Sequence, residues 1–204
     1  MPVKSEREYR NLSEILAPTD EMIVRGYATT FDQPYLLYSD DDVELWEVVD
    51  RNAFNETNKD DVIFQFDHEG RVYARSSNET LSLRSDEHGL FVEANLGGTA
   101  IGRELYDEIK GGYITKMSFG FTVRKDEWNR RKENGREISE RRILEVKRLY
   151  DVSAVSIPAN SATEISARSL IDGEIERIKA ERLAREKAEA LEAKRTALIE
   201  RCKS

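Results

Sequence analysis

Three short stretches hold the residues that could do chemistry. Ser118 lies inside the apolar run Met117-Ser118-Phe119-Gly120-Phe121. His68 follows Val62-Ile63-Phe64-Gln65-Phe66, in the segment Asp67-His68-Glu69-Gly70. Asp151 stands in Tyr150-Asp151-Val152-Ser153. A serine hydroxyl is a poor nucleophile at neutral pH unless a base takes its proton. The chain has two histidines, His68 and His88, so few side chains can supply that base. If His68 meets Ser118 in the fold, the chain is a serine hydrolase.

Each residue also has an ordinary explanation. A serine in a strand is usually only a small polar side chain. Here Gly120, two residues on, shares its face and leaves room for a substrate backbone. His88 stands in the charged turn Ser85-Asp86-Glu87-His88-Gly89, whereas His68 ends a run that should be anchored in a core. His68 is therefore the candidate base. A catalytic histidine works best when its far nitrogen donates to a carboxylate. Asp67 is adjacent, and neighbouring strand residues point to opposite faces, so it is badly placed for that bond. Asp151 lies between Leu149 and Val152, where a carboxylate is costly without a partner. On pattern alone it reads equally as an orienting acid or as a turn aspartate. Asp67, His68 and Glu69 offer metal ligands, but consecutive residues rarely converge on one ion and no second cluster has metal spacing. Leu96-Gly97-Gly98-Thr99 lacks the lysine of a phosphate-binding loop. No metal or other cofactor is expected.

These residues need elements to position them. Met22 to Phe31 reads as a first strand, followed by a loop at Asp32-Gln33-Pro34 and an acidic turn at 39–42. Leu45 to Val49 is a second strand, and Asp50 to Phe54 a turn into a short helix capped by Asp50 or Asn52. Thr80–Arg84 and Leu90–Leu96 form a hairpin. Thr99 caps a helix ending at Gly111-Gly112. In the strand from Ile114 to Val123, the residues Met117, Phe119, Phe121 and Val123 face one way. Ser118, Gly120 and Thr122 face the other, toward a cleft. Residues 126–140 are polar, with a hairpin tip at Lys132-Glu133-Asn134-Gly135. Ile143 to Ile157 returns as strand, and Pro158-Ala159-Asn160 ends the β-rich region. From Glu174 onward, no glycine or proline interrupts a charged sequence with a narrow apolar stripe: a long helix.

Composition narrows the classes. The 204 residues allow one domain and an appendage. Charged residues make up 35%, and much of this excess lies in the C-terminal tail. The net charge of -8 argues against nucleic acid as a partner. The one cysteine, Cys202, allows no internal disulfide and fits a reducing compartment. No apolar run is long enough for a membrane span, and the N-terminus lacks a signal-peptide core. A soluble intracellular protein is expected.

From about Met22 to Thr163 the chain resembles the prohead, or capsid maturation, serine proteases of tailed bacteriophages. The landmarks are Val24-Arg25-Gly26-Tyr27-Ala28, Asp50-Arg51-Asn52-Ala53-Phe54, His68 closing an apolar strand, and Leu81-Ser82-Leu83 with Gly89-Leu90. Met117-Ser118-Phe119-Gly120-Phe121 follows, then Asp151-Val152-Ser153-Ala154-Val155-Ser156 with Pro158-Ala159. The family is similar in fold to herpesvirus assembly proteases. The resemblance implies a β-rich α+β fold: a small β-barrel with surrounding helices, here with a long charged C-terminal helix. With the polar first 20 residues and the switch in composition at Gly173, the chain divides into an N-terminal arm at 1–20, a protease domain at 21–170 and a helical tail at 171–204. The resemblance makes Ser118 the nucleophile, His68 the base and Asp151 the third member, with Asp67 in reserve. The oxyanion donors would be backbone amides near Pro158-Ala159-Asn160. Substrates would be scaffold and capsid protein, cut inside assembling proheads in the host cytoplasm. Self-cleavage and activation by self-association are also implied; the tail from Glu174 reads equally as a segment that docks on scaffold or is removed and as a plain solvated helix. The competing expectations are a non-catalytic assembly protein with a β-domain and coiled tail, and a metal hydrolase centred on His68.

Overall fold

The computed structural model describes residues 7–15, 17–19, 21–156 and 165–203. The chain divides into two compact units, Met1–Arg168 and Ser169–Ser204. The first begins with β1 (Glu8–Ile15), β2 (Ala17–Pro18), β3 (Ile23–Thr30), β4 (Tyr35–Ser39) and β5 (Val43–Val49). It continues with β6 (Ile63–Phe66), β7 (Glu69–Arg75), β8 (Leu81–Ser85) and β9 (Gly89–Asn95). Helix α1 (Ala100–Lys110) leads to β10 (Lys116–Glu133) and β11 (Arg136–Val155). Helix α2 (Ile165–Lys203) runs uninterrupted through Gly173, the residue expected to mark its start.

Among the described residues the strands form two sheets and close no barrel, so the β-rich α+β expectation stands in its coarse form only. One sheet has the order β1-β10-β11-β5-β4, with β6 and then β7 added beside β11; the other runs β2-β3-β9-β8. Strands β10 and β11 make one long antiparallel hairpin. Its two-residue tip, Asn134-Gly135, has positive φ at both positions, 50° and 84°. That geometry matches the twist of the flanking strands and favours Asn-Gly. The other edge of β11 is shared. Its first part pairs in parallel with β5, and its last part, Asp151 to Ala154, pairs in parallel with Ile63 to Phe66 of β6.

The sheets share one core. Met117, Phe119, Phe121, Val152 and Ala154 from the first meet Val24, Leu90, Val92 and Ala94 from the second. Leu105 and Ile109 join from α1, which Thr99 caps by accepting the Gly102 N–H at 3.0 Å. Each large apolar side chain so buried contributes about 1.5–3 kcal/mol.

Several local expectations change. Residues 51–56 form turns rather than a short helix, because Asp50 Oδ1 accepts the Asn52 N–H and closes an Asx turn. The polar stretch 126–140 is strand to its tip. The N-terminal arm supplies β1, an edge strand that pairs with β10 in the register Tyr9↔Gly120 and Asn11↔Ser118. In the second unit, α2 carries an ion pair between Arg177 and the buried Glu174 at i,i+3 and an exposed Arg182–Glu186 pair at i,i+4. No helix is long and apolar enough to cross a membrane among the described residues.

Candidate active site

Ser118 is set by β10. Its Cα stands opposite Asn11 of β1 and Ser153 of β11, so the strand is held on both sides. Met117, Phe119 and Phe121 fill the core on one face, with the two phenylalanine rings stacked at 4.6 Å. The opposite face was expected to look into a cleft, yet Ser118 is 0% exposed.

His68 is set by a tight turn. Phe66 pairs with Glu69, leaving Asp67 and His68 as a two-residue hairpin loop between β6 and β7. Both have positive φ, 48° and 59°. Two left-handed residues in succession define a type I′ turn. Aspartate and histidine are among the non-glycine residues enriched in that conformation, which still costs on the order of 1 kcal/mol at each. Bonds to the end of β11 hold the turn. The Asp67 N–H donates to Ala154 O at 2.9 Å. The Asp67 carboxylate accepts the Ser156 N–H at 2.9 Å and the Ser156 hydroxyl at 2.7 Å.

So held, the imidazole bridges two strands. Its Nε2 lies 2.6 Å from Ser118 Oγ and its Nδ1 lies 2.5 Å from Asp151 Oδ1. The Tyr9 ring packs against it edge-on, with centroids 4.4 Å apart. A carboxylate can only accept, so Nδ1 carries the proton and Nε2 presents its lone pair to the serine O–H. Burial pushes the His68 pKa from 6.5 down to about 4; the Arg7 charge acts in the same direction and Asp67 opposes it. The ring is therefore neutral at pH 7, as a base must be.

Asp151 is fully buried, and each of its oxygens has partners. Oδ1 accepts from His68 and from the Ser153 hydroxyl at 2.9 Å. Ser153 Oγ also lies 3.2 Å from Nδ1, where it can take a share of the same N–H. Oδ2 pairs with the Arg7 guanidinium. Arg7 lies over the rings of Tyr150 and Tyr9, 4.5 Å and 5.1 Å from their centroids. Gly120 makes this assembly possible. A Cβ there would lie 2.4 Å from Asp151 Oδ2, 2.7 Å from Tyr9 Cε1 and 2.9 Å from Arg7 Nε. The space expected to admit a substrate backbone is occupied by the protein's own side chains.

The structure thus brings Ser118, His68 and Asp151 together. Asp67, held in reserve, turns its carboxylate to Ser156 instead. His88 packs on Tyr27 in the β8–β9 hairpin, in the other sheet. Pro158-Ala159-Asn160 lies outside the described residues. Among the described residues, no three His, Cys, Asp or Glu side chains converge to hold a metal ion. Sequence reasoning missed Ser153 and Arg7. Ser153 was findable, since it follows Asp151 at the two-residue strand period. Nothing in the residue order marks Arg7, which acts across 144 positions.

Comparison with known proteins adds the context for this geometry. The Caudovirus prohead serine protease family matches residues 9–178, a longer stretch than the landmarks above span. No curated protein matches the chain, and no solved structure does either. A match over most of the sequence, on a fold that places a serine beside a histidine, settles membership: the chain belongs to the Caudovirus prohead serine protease family, whose members are proteases of capsid maturation.

Proposed function

We propose that the chain is an endopeptidase that cuts scaffold and capsid protein, with Ser118 as nucleophile, His68 as general base and Asp151 as orienting acid. The observation that carries this is the imidazole bridge, 2.6 Å to the serine and 2.5 Å to the aspartate. Ser118 Oγ attacks a peptide carbonyl while His68 Nε2 takes its proton. The imidazolium so formed is stabilised by Asp151. It then protonates the leaving amine, and water releases the acyl group with His68 again as base. Charge develops on the carbonyl oxygen and needs fixed donors. This reading assigns them to backbone amides near Pro158-Ala159-Asn160, by analogy with the related fold. A structure with that loop far from Ser118 would remove the assignment.

The same reading treats the two sheets as the walls of an open small barrel of herpesvirus-assembly-protease type. Support comes from the single apolar core they share. It keeps the division into arm (1–20), protease domain (21–170) and tail (171–204), although β1 ties the arm to β10. The enzyme would act within assembling proheads in the host cytoplasm, without nucleic-acid or membrane partners, and would cut itself and associate with itself. The decisive experiment is co-expression with the capsid protein of the same phage, comparing wild type with Ser118→Ala. Capsid protein should be processed only by the wild type. Processing that survives the substitution would end the serine-protease assignment.

A further inference from the structure

We infer that Arg7, at the entry to β1, is a positioning residue that holds the second oxygen of Asp151 and thereby fixes the first toward His68. The inference rests on the roles proposed above for Ser118, His68 and Asp151. A buried carboxylate is costly unless both oxygens are satisfied. Oδ1 is satisfied by His68 and Ser153, and the ion pair with Arg7 satisfies Oδ2. Without Arg7 the carboxylate could rotate about its own bond and present either oxygen to the imidazole.

The placement of Arg7 is built from several sides. Tyr9 and Tyr150 offer their ring faces to the guanidinium, an attraction on the order of 1 kcal/mol each. Gly120 leaves the space that Arg7 and Tyr9 fill. Strand β1 itself is clamped to the sheet. Arg10, next along on the arm, is buried with Nε 2.5 Å from Glu47 and Nη2 2.6 Å from Glu8. The arm is thus a structural part of the site, delivering a cation to its acid.

Arg7 also acts on the proton. The groups facing His68 are Ser118 from β10, Asp151 and Ser153 from β11, Tyr9 and Arg7 from the arm, and Asp67 from its own turn; Arg148 and Tyr150 flank Arg7. Asp151 alone would favour a protonated imidazole. Burial chiefly, with the Arg7 charge acting in the same direction, offsets that pull and keeps the base neutral.

The test is fluorophosphonate labelling of the purified full-length chain across pH. In labelling, an O–P bond forms at Ser118 Oγ, fluoride leaves, and the serine proton passes to His68 Nε2. Wild type, Ser118→Ala, Arg7→Met and Arg7→Lys are compared. Ser118→Ala should not label. Arg7→Met should label about tenfold more slowly at pH 7.5, the scale of losing an orienting partner. Its acid limb should move to higher pH, and Arg7→Lys should restore both properties in large part. If Arg7→Met labels like wild type, or if Lys and Met slow labelling equally with the acid limb unmoved, the inference about Arg7 fails while the serine assignment stands. Labelling of Ser118→Ala at the wild-type rate would overturn the serine assignment and this inference with it.

Discussion

Asp67 binds Ser156: its carboxylate accepts both the backbone N–H and the hydroxyl of that residue, at 2.9 Å and 2.7 Å. The next residue, His68, meanwhile reaches Asp151. Both ends of the arrangement therefore rest on β11, which carries Asp151 and ends just before Ser156. One strand carries Asp151 and also fixes the turn that holds His68. The two aspartates weighed in the sequence, Asp67 and Asp151, have separate partners, Ser156 for one and the imidazole for the other.

That division predicts unequal costs. Asp67→Ala removes two hydrogen bonds at a partly exposed turn and should lower stability by about 1 kcal/mol. Peptidase activity should fall by about tenfold, as the imidazole loses its fixed aim. Asp151→Asn keeps the shape but leaves Arg7 without its carboxylate, so it should cost more stability than Asp67→Ala and reduce kcat by about 10⁴, because an amide stabilises the wrong tautomer. Urea unfolding and peptidase kinetics on both variants check this. Equal losses in kcat would contradict separate tasks.

Gly120→Ala is predicted to be a severe substitution for a single methyl group. Its φ is ordinary, so the obstacle is space: the Cβ would lie 2.4 Å from Asp151 Oδ2 and 2.7 Å from Tyr9 Cε1. Asp151 or the arm must move. Overpacking of this kind costs about 1–3 kcal/mol, and kcat should fall by at least about 100-fold. Circular dichroism with serine labelling distinguishes the outcomes. A folded variant that labels at the wild-type rate would show that the contact around Gly120 is unimportant.

The pH dependence has a definite sign. The unfolded chain protonates His68 near its ordinary value of 6.5, and the folded chain resists until about 4. Between these values the unfolded state binds the extra proton, so stability rises with pH. This contribution is complete above pH 6.5 and is lost as pH falls from 6.5 to about 4. It is on the order of 3 kcal/mol. Urea midpoints measured at pH 7 and pH 4.5 should differ less for His68→Gln than for wild type. The acid limb of kcat/KM should lie near pH 4. An acid limb at 6.5 or above would mean that burial and Arg7 do not control the imidazole.

What the sequence disclosed follows its apolar patterning. The β10 strand around Ser118, the β8–β9 hairpin and the Thr99-capped helix were legible because core side chains recur at the right period or a cap stands at the right place. Strand β1 was not legible. Most of its residues are polar, and polarity normally means exposure, yet Arg10 is 2% exposed because Glu47 and Glu8 receive it. The stretch 126–140 misled in the same way: its long side chains read as loop, although main-chain pairing with Arg136 to Ile143 makes it strand. The Ser118 face was legible as a face and misread as a cleft. What fills it is Asp151 from β11 together with Tyr9 and Arg7 from the arm, and residue order holds no trace of the arm's contact.

The buried charges beneath β1 give the last prediction. Glu47 is fully buried, and its carboxylate receives Arg10 at 2.5 Å, Arg141 at 3.1 Å and the Tyr35 hydroxyl at 2.5 Å. Burial pushes its pKa up, but the two guanidiniums outweigh burial and bring it down to about 2. Its stabilising contribution is therefore complete above the ordinary 4.5 and is lost as pH falls toward 2. Glu47→Gln keeps the shape and removes the charge, which leaves two buried cations short of a partner. Breaking one member of such a group costs about 3–5 kcal/mol. Arg10 lies on β1, so the loss should also loosen the arm that carries Arg7. Glu47→Gln is expected to lower the urea midpoint and slow serine labelling, though Glu47 contacts neither Ser118, His68 nor Asp151. Hydrogen exchange should show the loosening as faster exchange of the amides of residues 8–15. If those amides stay as protected as in wild type while labelling slows, the arm is not the route by which the buried charges reach the site.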